Sequence, residues 1–75
     1  MTVMSPGQLV RQAREAQGLS RDRLAYSLGT SVSTIVRFEL EDRLPKARMV
    51  AAIAKALDIP VSDLLDAAPE SESVA

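Results

Sequence analysis

The chain of 75 residues contains no cysteine, no histidine and no tryptophan. Without cysteine it cannot form a disulfide, and without cysteine and histidine it lacks the usual ligands of structural zinc sites. The same two absences remove the side chains that most often act as nucleophile or general base in enzymes. We therefore expect no metal, no cofactor and no catalytic site in this protein.

Aromatic residues are nearly absent as well, since the chain has one tyrosine and one phenylalanine. Hydrophobic residues nevertheless make up 47% of the sequence, a share that is typical of a folded protein. Aliphatic side chains and alanines must therefore fill the core, and such cores suit closely packed helices. The short length allows one domain with one small core, which favours support from a partner subunit.

The sequence has no hydrophobic run of the length that crosses a membrane, which is about 20 apolar residues. Its first residues, Met-Thr-Val-Met-Ser, have neither the basic start nor the apolar stretch of a signal peptide. These two absences predict a cytoplasmic protein without a membrane partner.

The net charge of -1 is not that of a strongly basic nucleic-acid binder, but the charges are unevenly distributed. Residues 1–48 carry a net charge of +3, and residues 49–75 carry -4. A basic front and an acidic back would orient the molecule in the electric field of DNA. The alternative is that both sets of charges are simply solvated.

Hydrophobic spacing and capping residues predict five short helices and an all-α fold. Ser5, Pro6 and Gln8 have the pattern of a capping box at the first helix, which ends at Gly18. The other helices are predicted over about 21–28, 32–40, 46–57 and 61–67. The chain is thus divided into an N-terminal arm (1–5), a helical domain (6–67) and a disordered acidic tail (68–75).

The most informative stretch runs from Leu19 to Phe38, where two helical patterns meet at Gly29. Glycine readily adopts the positive φ that a sharp turn after a helix needs. Ser20 and Ser31 stand where a side-chain oxygen could cap the helix that follows. These features predict a helix-turn-helix unit over residues 20–40, in which the second helix enters the major groove of DNA.

With these elements the chain resembles the Cro/CI-like (lambda repressor-like) helix-turn-helix family of phage and bacterial regulators. The resemblance covers residues 9–65 and rests on motifs that occur in the family's order and spacing. They are Arg14, Gly18-Leu19-Ser20, Leu24-Ala25, Leu28-Gly29, Ser33-Thr34-Ile35, Arg37-Phe38-Glu39, Pro45 and Ile53-Ala54-Lys55-Ala56-Leu57.

The resemblance implies a compact five-helix DNA-binding domain from a bacterium or phage, associated with the nucleoid. It implies a sequence-specific transcriptional regulator, most simply a Cro-like repressor, that binds double-stranded DNA. Proteins of this size commonly bind palindromic operators as two-fold dimers, so we expect a homodimer.

The resemblance also implies where DNA is contacted. Positions on the third helix would touch base edges, with arginine suited to guanine and valine to the methyl group of thymine. The start of the second helix would hold a phosphate, because its N–H groups and dipole favour an anion. The candidate base contacts are Val32, Ser33, Thr34, Val36 and Arg37, and the candidate phosphate contacts are Ser20, Arg21, Arg43 and Lys46.

A buried salt bridge between Arg14 and Glu39 is a further implication, and it would tie the first helix to the third. The alternative is that these are two independent surface charges of little energetic value.

The segment after Glu39 is Leu40-Glu41-Asp42, which departs from the family pattern of a polar residue, a glycine and a basic residue. Leu40 cannot bond a phosphate, and Glu41 in place of glycine is expected to weaken the left-handed turn. Leu40 and Leu44 therefore become candidates for a subunit or partner contact, as do Val61 and Leu65 near the end of the chain. The alternative function is a protein-interaction module, an antiactivator or antitoxin, that binds its partner through Val32, Val36, Leu40 and Leu44.

Overall fold

The computed structural model describes residues 4–66, which form five α-helices joined by short loops. They are α1 (Pro6–Ala16), α2 (Arg21–Leu28), α3 (Val32–Glu41), α4 (Ala47–Leu57) and α5 (Val61–Asp66). This part of the chain contains no strand, and none of its helices is long and apolar enough to cross a membrane. The predicted all-α fold is confirmed. The predicted tail 68–75, the residues 1–3 of the predicted arm and Ala67 lie outside the described residues.

Serine side chains begin the first three helices. The Ser5 Oγ accepts a hydrogen bond from the Gln8 N–H at 3.3 Å, and the Gln8 Oε1 accepts one from the Ser5 N–H at 2.9 Å. Ser20 and Ser31 accept bonds from backbone N–H groups three residues on, at 3.0 and 3.3 Å. Each bond satisfies an N–H that has no partner within the helix, which is why these starts were predictable.

The helix ends depend on residues with positive φ. Gly18 and Gly29 follow α1 and α2 with φ of 68° and 69°, as predicted. α3 ends at Glu41, one residue later than predicted, because the left-handed residue is Asp42 with φ 53°. Aspartate tolerates this conformation better than most side chains do. Glu41 itself remains helical, so the left-handed residue lies one position after the place where the family pattern has glycine.

The core lies where α3 packs against α1 and α2, with α4 and α5 closing it from the other side. Phe38 and Ile35 are fully buried in α3, and Leu64, predicted as a core residue, is fully buried in α5. Within the part of the chain that the structure describes, ten hydrophobic residues are buried: Val10, Leu24, Ala25, Ile35, Phe38, Val50, Ile53, Ala54, Leu57 and Leu64. This core holds α2 and α3 in a fixed relation, and the candidate site is built on their exposed sides.

α1 and α3 cross so closely that one position must be glycine. A Cβ atom at Gly7 would collide with the carbonyl oxygen of Phe38 and lie 2.8 Å from that of Glu39. The Gly7 N–H donates to Asp42 Oδ1 at 3.0 Å, so the residue that ends α3 also caps the start of α1. The negative charge of Asp42 therefore lies at the positive end of a helix dipole. Sequence analysis assigned no role to Gly7 and treated Asp42 as a departure from the family pattern.

Candidate nucleic-acid interface

A buried ion pair lies beneath the start of α2. The Glu39 side chain is 0% exposed and accepts hydrogen bonds from Arg14 Nε at 2.7 Å and Arg14 Nη2 at 3.1 Å. Arg14 also donates through Nη1 to the Leu19 carbonyl oxygen at 2.7 Å. Two parallel charge-assisted bonds of this kind are strong and directional. The structure thus places Arg14 and Glu39 together, and they connect α1, α3 and the loop before α2.

Arg21, the first residue of α2, also bonds this carboxylate. Its Nε donates to Glu39 Oε1 at 2.9 Å, and its side chain is partly exposed. Sequence analysis assigned Arg21 to a DNA phosphate and missed the contact with Glu39, which lies 18 residues away along the chain. The ion pair is therefore a cluster of two arginines and one glutamate.

The ionisation of Glu39 reflects two opposing effects. Burial by itself would raise the pKa of the Glu39 carboxyl, but the hydrogen bonds from Arg14 and Arg21 and their positive charges outweigh it. The pKa of Glu39 therefore lies below its ordinary value, and the carboxyl is ionised at neutral pH. The hydrogen bond to Glu39 likewise raises the pKa of Arg14, against the opposing effect of burial. Both partners are charged whenever the protein is folded near neutral pH.

The two arginines of this cluster line a shallow groove beside α3, with a volume of about 490 Å³. We call it the arginine groove, and its lining residues are Arg11, Arg14, Glu15, Ser20, Arg21, Asp22, Val32 and Val36. Arg11 is paired with the exposed carboxylate of Glu15 at 3.2 Å. The groove therefore brings the candidate phosphate residues Ser20 and Arg21 next to candidate base contacts on α3.

The outer face of α3 carries the remaining candidates for base contacts. Val32, Ser33 and Arg37 are exposed, whereas Val36 is half-buried rather than exposed as expected, because it lines the wall of the arginine groove. Thr34 is also half-buried, with its Oγ1 lying 3.1 Å from the Ser31 Oγ at the helix cap. The side chains with the freest access to a ligand are thus those of Val32, Ser33 and Arg37.

The other two candidate phosphate contacts lie apart from the arginine groove. Lys46 is exposed at the start of α4 and lines a second groove of about 520 Å³ together with Thr30, Thr34, Pro45, Arg48 and Met49. Arg43 is exposed just beyond the end of α3, and its Nε lies 3.5 Å from a carboxylate oxygen of Glu41. The basic candidates therefore surround α3 at both of its ends.

A family model described as helix-turn-helix matches residues 10–64, which is more than half of the chain. The chain belongs to the Cro/CI-like helix-turn-helix family. Its members are regulators that bind double-stranded DNA, so this chain is a DNA-binding transcriptional regulator and not an enzyme. The resemblance stated from the sequence is confirmed.

The crystal structure of the restriction-modification controller protein C.AhdI from Aeromonas hydrophila is similar to this fold. The two chains are 34% identical and superpose with a TM-score of 0.70, covering 79% of this chain and 89% of the other. A search of curated proteins found no match. The superposition covers most of both chains, so the five-helix arrangement is shared with a known regulator.

In this helix-turn-helix regulator the surface of the alternative interaction module is not a continuous exposed patch, since two of its four residues, Val36 and Leu44, are half-buried. Leu40 is 54% exposed, but Leu44 is half-buried and packs against the core after the turn at Asp42. Leu44 is therefore a poor candidate for a partner contact. On α5, Val61 and Leu65 are 39% and 59% exposed, and their spacing of four places them on one side of the helix.

Proposed function

We propose that this regulator is a sequence-specific repressor of the Cro-like kind, which binds a palindromic operator as a homodimer. The observation that carries the proposal is the arginine groove, because it borders both the first turn of α2 and the exposed side of α3. Groups that can hold a phosphate therefore lie beside groups that can read a base. DNA recognition needs both kinds of contact, since phosphate contacts set the register and base contacts give specificity.

Three side chains of α3 would read the bases in the major groove. Arg37 would pair with O6 and N7 of a guanine, and Ser33 would make a shorter polar contact. Val32 would contact the methyl group of a thymine, the one apolar group that the major groove offers. Val36 and Thr34 would support these contacts from their half-buried positions.

The backbone would be held on both sides of α3. Ser20 and Arg21 lie at the N-terminus of α2, where the helix dipole favours an anion. Lys46 and Arg43 would hold phosphates near the two ends of α3. A protein that contacts few phosphates through basic side chains releases few counterions from the DNA. The affinity should therefore depend only modestly on salt concentration.

A homodimer follows from the small size of the reading surface. One helix supplies few specific contacts, and two copies on a palindrome double them with half-sites about 34 Å apart, one turn of DNA. Val61 and Leu65 on α5 are the exposed apolar residues that we assign to the contact between subunits. Repression then depends on where the operator lies in the promoter.

The test is selection of binding sites from a random DNA library, at low and at moderate salt. The expected result is enrichment of a two-fold motif by the wild-type protein and loss of the motif with Arg37→Ala. Arg23→Ala is the matched control, since Arg23 is an exposed arginine on α2 outside the proposed interface. Retention of DNA without a motif would contradict specific recognition. A folded sample that retains no DNA would instead favour the interaction module, with Leu40 and Val32 as its exposed surface.

A further inference from the structure

The outward side of α3 is divided into an apolar part and a polar part. Val32 and Val36 are one turn apart, and they lie about 40° from each other around the helix axis. Ser33 and Arg37 follow them in sequence, and each is rotated by about 100° from the valine before it. Both valines line the arginine groove, as Arg21 does. An apolar strip therefore runs along the groove side of α3, with the polar candidates for base contacts beside it.

This valine strip, Val32 and Val36, is a stiff surface without hydrogen-bonding groups. A β-branched side chain in a helix has one strongly preferred χ1 rotamer, so it loses little conformational entropy when a ligand covers it. Val36 is half-buried, whereas Val32 is 38% exposed and keeps part of its side chain open to a ligand. Valine has no side-chain donor or acceptor. The strip can therefore recognise a base only by its apolar groups.

The apolar groups of bases in the major groove are methyl groups on C5 of pyrimidines. Thymine carries such a methyl group, and cytosine carries a hydrogen atom at the same position. 5-Methylcytosine combines the methyl group of thymine with the N4 amino donor of cytosine. To a surface that makes no hydrogen bonds, the two methylated bases are alike, and cytosine lacks the feature that is recognised.

We propose that the valine strip recognises a 5-methylpyrimidine, so that methylation of a cytosine at C5 strengthens the binding of this regulator to its DNA. This inference rests on the proposed function and adds a class of ligand to it, DNA that carries 5-methylcytosine. The guanine assigned to Arg37 then lies close to the methylated base, because Arg37 follows Val36 on the helix. Regulation depends in this way on the modification of the operator as well as on its sequence.

The test is the affinity, by fluorescence anisotropy, for duplexes that carry the selected motif and differ at one pyrimidine of each half-site. At each pyrimidine position in turn, the base is cytosine or 5-methylcytosine, paired with guanine in both duplexes. We expect one position at which 5-methylcytosine is bound about threefold to tenfold more tightly than cytosine, as for one methyl group buried in an apolar contact. Equal affinities at every position, or weaker binding of every methylated duplex, would overturn the inference.

Two variants show whether the valine strip detects the methyl group. Val32→Ala should lose most of the preference for 5-methylcytosine, because the exposed part of the strip is removed. Val61→Ala is the matched control and should keep the preference, since Val61 is also the first residue of its helix and is 39% exposed, but lies on α5. Circular dichroism verifies that each variant is folded. If folded Val32→Ala keeps the full preference, the methyl group acts through the shape of the DNA and the inference is wrong.

Failure of the inference and failure of the proposed function give different results. A wild-type protein that selects no motif defeats the proposed function and the inference with it. A selected motif that is bound equally well with cytosine and with 5-methylcytosine overturns the inference alone.

Discussion

The side chains on the outer face of α3 differ in what they can recognise. Arg37 and Ser33 carry hydrogen-bonding groups, whereas Val32 can make only apolar contacts. The sequence identified these positions because the helical period places Ile35 and Phe38 on the opposite, buried face. It could not identify the half-buried state of Val36, since that depends on α1 and α2 forming the other walls of the groove.

Val32 should make binding depend on a thymine methyl group. Replacing the contacted thymine by deoxyuridine removes one methyl, and we expect about a threefold to tenfold loss of affinity, as for one buried methyl group. The Val32→Ala variant should bind the thymine and the deoxyuridine duplexes with almost equal affinity, as measured by fluorescence anisotropy.

The control for Val32 is Val61→Ala. Both valines are the first residue of their helix, and their exposures are 38% and 39%. Val61→Ala should keep the preference for thymine even if it changes the affinity for both DNAs. An undiminished thymine preference in Val32→Ala would rule out this contact.

At the scale of elements, the starts of α1, α2 and α3 were predictable because each is capped by a serine close to it in sequence. The way in which these helices pack against one another was less predictable from the sequence. Gly7 looks like an ordinary residue of a first turn, and the need for glycine there arises from the carbonyl groups of α3. The resemblance pointed to Arg14 and Glu39, but the third member, Arg21, became visible only when α2 was placed beside α3.

The cluster that joins these three helices should make stability fall in acid. The pKa of Glu39 in the folded protein is lowered from an ordinary value of 4.5, so its ionised form contributes stability that is fully present above that pH. This contribution is lost as the pH falls through the folded pKa. We expect the Tm of the wild type to be steady from pH 8 to about 5.5 and to drop steeply below about 4.5.

Two variants test this origin of the acid sensitivity. Glu39→Gln should be less stable at pH 7 by about 3–5 kcal/mol, because it leaves two arginines without their buried partner, and its Tm should vary less in acid. Glu15→Gln removes an exposed carboxylate and should keep the wild-type profile. The same steep drop in Glu39→Gln would assign the acid sensitivity to other groups.

For the whole molecule, the proposed homodimer predicts which helix forms the contact between the two copies. Leu40 and Leu65 are exposed leucines of similar accessibility, 54% and 59%, on different helices. If α5 forms the contact between subunits, Leu65→Glu should yield monomers in sedimentation velocity, since a charge would enter an apolar interface. Leu40→Glu should leave the dimer intact. If Leu40→Glu instead yields monomers and Leu65→Glu leaves the dimer intact, the contact between subunits lies on α3. That helix would then not be available to bind DNA.

The sequence by itself determined the helices, the turn between α2 and α3 and the family, because these depend on local spacing, caps and glycines along the chain. It also pointed to the exposed face of α3, which carries the candidate base contacts. The tertiary structure decided which charges share a carboxylate, where Asp42 points and that Leu44 joins the core. These contacts join residues far apart in the chain, and their energies depend on burial and distance, which arise only when the helices pack together.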